Sequence, residues 1–235
     1  MSQLMEMARV TLFGSRNTGN GASFEPARDI PSLAGKVVLI TGAVGDLGRS
    51  TAVELARYGR PACIYVADLP RKVQPDINAR FVVVSSEGHA VAPTGGIRFS
   101  KLKSSCADMS YLQRYGQSKL ALIGFTRELA RYYPRLTTAA VHLGWIITGM
   151  AKSLATESVL IRFATFISYL ICVPVFVGIR NHLWAATSSE VVSGKYYELI
   201  GVLDRESKIA KDENLSKELW EWIENELKLS SVPLK

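Results

Sequence analysis

Two kinds of apolar spacing alternate along the chain. Lys36–Ile40, Ala62–Ala67, Arg80–Ser85, Leu136–Leu143 and Gly194–Ile200 are short, nearly unbroken apolar runs rich in β-branched residues, and they predict buried strands. Between and after them, apolar residues recur every three or four positions. Ala52, Val53, Leu55 and Ala56 mark a helix over Arg49–Tyr58. Leu120, Ile123 and Phe125 mark one beginning at Tyr111, with Lys119 and Glu128 off its apolar stripe. Val177–Thr187 continues the series. Leu215, Leu219, Trp222, Ile223 and Leu227 mark a last helix over Asp212–Leu227. Strands alternating with helices predict an α/β fold on a mostly parallel sheet. Residues 1–34 are polar, turn-rich and marked by Pro26 and Pro31, so they read as a flexible tail before one domain over 35–235.

The alternation breaks once. Neighbouring parallel strands need a crossover of a dozen or more residues, usually helical. Asp68–Ala79 is all that separates the second strand from the third, and it holds Pro70 and Pro75 with no apolar period. No helix is expected there. The longest apolar run, Phe163–Ile179, is uncharged, flanked by Arg162 and Arg180, and interrupted by Pro174. It falls just short of a usual membrane span. It reads as a lid over an apolar substrate leading into a core helix, with contact at a bilayer surface as the second reading.

Composition narrows the partners. A chain of 235 residues, 48% hydrophobic and 21% charged, can bury a sizeable core. Its net charge of +7 is spread along the sequence without a basic stripe or a nucleic-acid motif, so no nucleic-acid partner is expected. Cys63, Cys106 and Cys172 are odd in number and far apart, which points to a reducing, cytoplasmic setting without disulfides. His89, His142 and His182 lack metal-ligand spacing, so no metal is expected. Met1–Phe13 has no long apolar run and carries Glu6, making it a poor secretory signal.

Three stretches carry chemistry. Tyr115 and Lys119 stand one helical turn apart on one face. A nearby ammonium favours a phenolate, so such a tyrosine can exchange a proton with an alcohol or carbonyl oxygen near neutral pH. Thr41-Gly42-Ala-Val-Gly45-Asp46-Leu47-Gly48 lies between a strand and a helix, where glycines let backbone approach a pyrophosphate at a helix N-terminus. Asp68, twenty positions after Gly48 and at the end of the next strand, is placed to bond the adenosine ribose hydroxyls. Ser85 and Ser86 close the third strand, at the end where open α/β sheets hold ligands.

These residues, taken in order, resemble the short-chain dehydrogenase/reductase family over about residues 35–200. Val84-Ser-Ser-Glu-Gly-His89 and the C-terminal part are similar to the retinol-dehydrogenase-like branch. The resemblance implies a Rossmann-like fold and an NAD(P)-dependent oxidoreductase acting on a hydrophobic alcohol or carbonyl. It makes Tyr115 the acid/base, and Lys119 its activator and the holder of the nicotinamide ribose. Ser86, chosen over Ser85, would orient the substrate oxygen. Gly42, Gly45, Leu47, Gly48, Asp68, Lys119, Ile146 and Thr148 would contact the cofactor. Asp68 favours NAD over NADP, a preference that Arg49 and Arg71 would soften.

Departures matter equally. Asp46 stands where the family's middle glycine would be, as a helix cap and a charge against pyrophosphate. Leu143 replaces a proline before Gly144. The family's central βα units, with their Asn-Asn-Ala-Gly turn, have no counterpart in Asp68–Ala79. The expected fold is therefore a truncated one, with strand 80–85 beside 36–40 or next to an open slot. Turnover is expected to be weak or absent, the alternatives being an inactive remnant or a membrane-associated protein using 163–179.

Overall fold

The computed structural model describes residues 23–43, 45–67, 79–144, 146 and 174–229. Its elements in chain order are α1 (Pro26–Asp29), β1 (Val37–Thr41), α2 (Asp46–Glu54), β2 (Cys63–Ala67), β3 (Arg80–Val84), α3 (Tyr111–Tyr132), β4 (Thr137–Val141), α4 (Val175–Gly178), α5 (Arg180–Thr187), β5 (Lys195–Tyr197) and α6 (Glu213–Leu229). Each predicted strand run is found, trimmed by up to four residues. The fold is Rossmann-like, and all strand ladders are parallel.

The chain divides into two units. The first comprises Met1–Gln74, Leu143–Glu190 and Leu199–Val202. It contains the two-stranded sheet β1-β2, with Val37 opposite Cys63 and Thr41 opposite Ala67. α2 begins one turn earlier than the apolar period suggested, because Gly45 is its N-cap and Asp46 sits in its first turn. Asp46 thus supports the helix by its charge rather than as the cap itself. The helix loosens into a π-turn over Leu55–Gly59 and stops at Arg60, which is left-handed at φ 48°. Part of the expected tail is ordered here. α1 forms, and Phe24 and Ile30 are buried. Gly59 admits Leu33 at a distance that any β-carbon would obstruct. Across the unit, Thr51 on α2 hydrogen-bonds His182 on α5. The Thr51 hydroxyl donates to the Leu47 carbonyl, so it accepts from His182 Nε2.

The second unit comprises Pro75–His142, Val191–Glu198 and Leu203–Lys235. Its sheet runs β3-β4-β5. β4 is its centre, with Ala139, Ala140 and Val141 almost fully buried. α3 packs on this sheet and on α6, and Leu120, Ile123, Ala140, Tyr196 and Leu219 meet in the core. Trp220 is buried and stacks on Tyr132, with ring centroids 4.7 Å apart. Leu227, expected on the apolar face of α6, is exposed. Glu128 departs from its expected polar face. It is 2% exposed, and Arg131 one turn on holds its carboxylate at 2.6 Å. Burial of an ionised carboxylate is tolerable only with such a partner.

β3 is not the buried strand its composition suggested. Only Val83 is buried, while Phe81 and Val84 are exposed. Among the described residues β4 is the only strand paired with β3, so β3 is an edge of its own three-stranded sheet. A strand with one neighbour shields one edge and leaves its side chains half covered.

Candidate active site

α3 presents the central pair. Its start is fixed by a capping box: Ser110 Oγ accepts from Gln113 N, and Gln113 Oε1 accepts from Ser110 N. From that start, Tyr115 and Lys119 fall on one side of the first two turns. Tyr115 is 36% exposed, and Lys119 Nζ lies 5.5 Å from its ring centroid. Lys119 Nζ donates to the Val84 carbonyl at 3.0 Å, at the end of β3. Burial of the ammonium lowers its pKa from the ordinary lysine value.

The two serines have different tasks. Ser85 is buried, and its hydroxyl donates to the Lys119 carbonyl at 2.8 Å. The strand end and the helix are thus tied twice, through the carbonyls of Val84 and Lys119. Ser86 is half-buried and caps the short turn Glu87–Val91. Its Oγ accepts from Gly88 N at 3.1 Å, which leaves its own O–H to donate elsewhere. Ser86 and Tyr115 converge on Gly88. A β-carbon there would sit 2.6 Å from Tyr115 Cε1 and 3.4 Å from Ser86 Oγ.

Sequence reasoning passed over two glycines that permit this convergence. Gly88 admits the Tyr115 ring, and Gly116 brings α3 onto the turn beside it. A β-carbon at Gly116 would lie 2.7 Å from Ala92 N and 2.8 Å from the Gly88 oxygen, both backbone atoms. Gly116→Ala should therefore destabilise the protein by about 1–3 kcal/mol, although alanine in an open helix interior would gain up to about 1 kcal/mol. Urea unfolding of the two proteins decides between these signs, and a gain in stability would mean that α3 has room to move off the turn.

Beneath the serines lie two buried histidines. His142 is held neutral, its pKa pushed down to about 4 by burial, with smaller contributions from His89 and Lys119. Its Nε2 is 3.9 Å from Glu87, whose carboxyl pKa is raised by burial. His89 bonds through both ring nitrogens, to Ser86 O and to Ser207 N. The only signal of His89 in the sequence was its place three residues after Ser86.

The glycine turn belongs to the first unit. Gly42 takes φ +64°, which favours glycine. A β-carbon at Gly48 would lie 2.6 Å from both Ala43 Cα and the Gly42 oxygen, so glycine lets α2 close against the turn. Gly45 and Leu47 sit at and inside the helix start. An open turn leading into a nine-residue helix fits a pyrophosphate, and Asp46 in the first turn weakens that fit by its charge. Ile146 packs against Gly178 in this same unit. Asp68 and Thr148 lie outside the described residues, as does Phe163–Val173 of the apolar run. No helix among the described residues is long and apolar enough to cross a membrane. Ser86, Tyr115 and Lys119 are thus gathered in one unit, and Gly42, Gly45, Leu47, Gly48 and Ile146 in the other.

No family model matches the chain. The short-chain dehydrogenase/reductase drtF of Aspergillus calidoustus is 32% identical over 168 residues, which cover 64% of this chain and 51% of that protein. Human retinol dehydrogenase 14 is 31% identical over 151 residues, covering 61% of this chain and 42% of that protein. The chain spans about half the length of the curated relatives it matches. In fold it is similar to a solved structure of an uncharacterized protein from Mycobacterium paratuberculosis, with a TM-score of 0.61 over 88% of this chain and 98% of the other, at 22% identity. By its glycine turn, its paired tyrosine and lysine and these relatives, the chain is similar to the short-chain dehydrogenase/reductases, a retinol dehydrogenase among them.

Proposed function

We propose that this chain has the chemistry of an oxidoreductase that moves a hydride between a nicotinamide cofactor and a hydrophobic alcohol or carbonyl, and that it performs it weakly or not at all. The observation that carries the reading is the convergence of Ser86 Oγ and the Tyr115 ring on Gly88, with Lys119 one turn along α3. The cofactor, when bound, supplies the hydride chemistry. Ser86, whose Oγ already accepts from Gly88 N, donates its proton to the substrate oxygen and fixes it. Tyr115 Oη gives a proton to that oxygen during reduction and takes it back during oxidation. Lys119 Nζ, 5.5 Å from the Tyr115 ring centroid, places a positive charge on the same face of α3.

Gly42, Gly45, Leu47 and Gly48 would receive the pyrophosphate, and Asp68 the adenosine ribose. Ile146, Thr148 and Lys119 would face the nicotinamide end. An apolar run over 163–179 suits a hydrophobic substrate and peripheral contact with a bilayer. Weak turnover follows from the absent central strands and from Asp46. NAD is expected to bind more tightly than NADP, since the Asp68 carboxylate opposes a 2′-phosphate. Fluorescence titration of the purified chain with both dinucleotides tests the reading. Asp68→Ala should narrow the NAD preference severalfold. Tighter binding of NADP by the unmutated chain would overturn the assignment of Asp68, and binding of neither would favour an inactive remnant.

A further inference from the structure

His89 is 1% exposed and uses both ring nitrogens. Its Nδ1 lies 2.7 Å from the Ser86 carbonyl oxygen, and its Nε2 lies 2.9 Å from Ser207 N. Ser207 N is a donor, so Nε2 must accept. The ring is therefore the neutral tautomer with the proton on Nδ1, and Nδ1–H donates to Ser86 O. The backbone N–H of His89 donates to the same oxygen at 3.1 Å. One residue thus supplies two donors to the carbonyl of Ser86. Its ring is fixed edge-on against Tyr196, with centroids 5.2 Å apart. Burial lowers the pKa of His89, which keeps it neutral, although the Ser86 bond and the charge of Glu206 oppose this.

We propose that His89 is a positioning residue, which holds the Ser86 backbone and links it through Ser207 to the segment preceding α6. The proposal rests on the reading of Ser86 as the substrate-orienting hydroxyl. The imidazole pins the Ser86 carbonyl and so fixes the turn whose Gly88 N–H donates to Ser86 Oγ. Ser207 in turn selects the tautomer, because only an unprotonated Nε2 can accept its N–H. The order of the 203–207 segment therefore reaches the serine through a rigid ring rather than through a chain of flexible side chains.

The test uses the full chain and substitutions that separate the two bonds. Asparagine at position 89 can keep a donor near the Nδ1 position, and glutamine can keep an acceptor near the Nε2 position. The unmutated chain, labelled with 15N-histidine, should show His89 with Nδ1 protonated and Nε2 bare from pH 8 down to pH 6. The opposite tautomer, or an imidazolium in that range, would overturn the proposal. His89→Asn should leave the backbone amide resonances of Glu87 and Gly88 near their original positions. His89→Gln should shift them, while both variants unfold at similar urea concentrations. Equal amide shifts in the two variants would reduce His89 to a core residue and sink the idea. In turnover with NAD(H) and a hydrophobic alcohol or carbonyl, His89→Gln should lower kcat at least tenfold with KM little changed, and His89→Asn should lower it less than threefold. Absence of dinucleotide binding in the unmutated chain would refute the proposed function, whereas the tautomer and amide results bear on His89 alone.

Discussion

Insertion of a family-like strand-and-helix segment between Asp68 and Arg80 is expected to raise kcat/KM for hydrophobic alcohols and carbonyls by about two orders of magnitude or more. Hydride transfer requires the nicotinamide carbon and the substrate carbon to be held near attack distance, and a misplacement of about 1 Å can cost on the order of a hundredfold. The chain already brings Ser86, Tyr115 and Lys119 together through ties that do not involve the missing strands: Ser85 to Lys119 O, Lys119 to Val84 O, and Gly116 against Gly88. What it lacks is the strand and turn that, by family resemblance, bed the cofactor. In the extended protein, Tyr115→Phe should then lower kcat/KM by about 10²–10⁴-fold, the usual worth of a positioned acid/base. Steady-state kinetics with NAD(H) and NADP(H) on both proteins, each with and without Tyr115→Phe, provide the check. Comparable turnover by the two parent proteins, abolished in each by Tyr115→Phe, would mean that the absent segment is dispensable.

Acidification from pH 6.5 to 4 should lower the stability of both units. His142 in one unit and His182 in the other are buried, and each has its pKa lowered from 6.5 to about 4. Above about pH 6.5 both are neutral in folded and unfolded chains, and their contribution to stability is complete. As pH falls, the unfolded chain takes up protons that the folded one refuses, so stability drops, by up to about 3 kcal/mol per histidine by pH 4. Glu87 has the opposite sign, since burial raises its pKa and the folded state prefers it protonated, which offsets part of the loss at the acid end. Urea midpoints at successive pH values measure the slope. A flat profile between pH 7 and 5 would contradict the burial of these rings. Replacement of His142 or His182 by glutamine should flatten the slope of the unit that holds it.

The residues that announce themselves by local pattern were legible in the sequence. The period of α3 is written within a few positions of Tyr115 and Lys119, and the turn glycines follow directly on an apolar strand. What the spacing could not convey depends on partners distant in sequence. His89 looks like a stray histidine until Ser207, far along the chain, donates to it. Gly88 and Gly116 are ordinary glycines until the turn and the helix meet. Phe81 and Val84 read as buried from their composition, and among the described residues β3 pairs with β4 alone and both side chains are exposed.

That exposed edge bears on how the protein behaves at high concentration. Arg80-Phe-Val-Val-Val84 is short, rich in β-branched residues and free of proline, and its only charge is at its start. Such a segment at a sheet edge is a template for pairing with identical chains. Self-association that grows with concentration and begins at β3 follows, so yield in soluble form becomes a sensitive measure of the missing strand, independent of any substrate. A lysine in place of Val84, whose side chain is exposed, would act as a gatekeeper and raise the concentration at which aggregates appear.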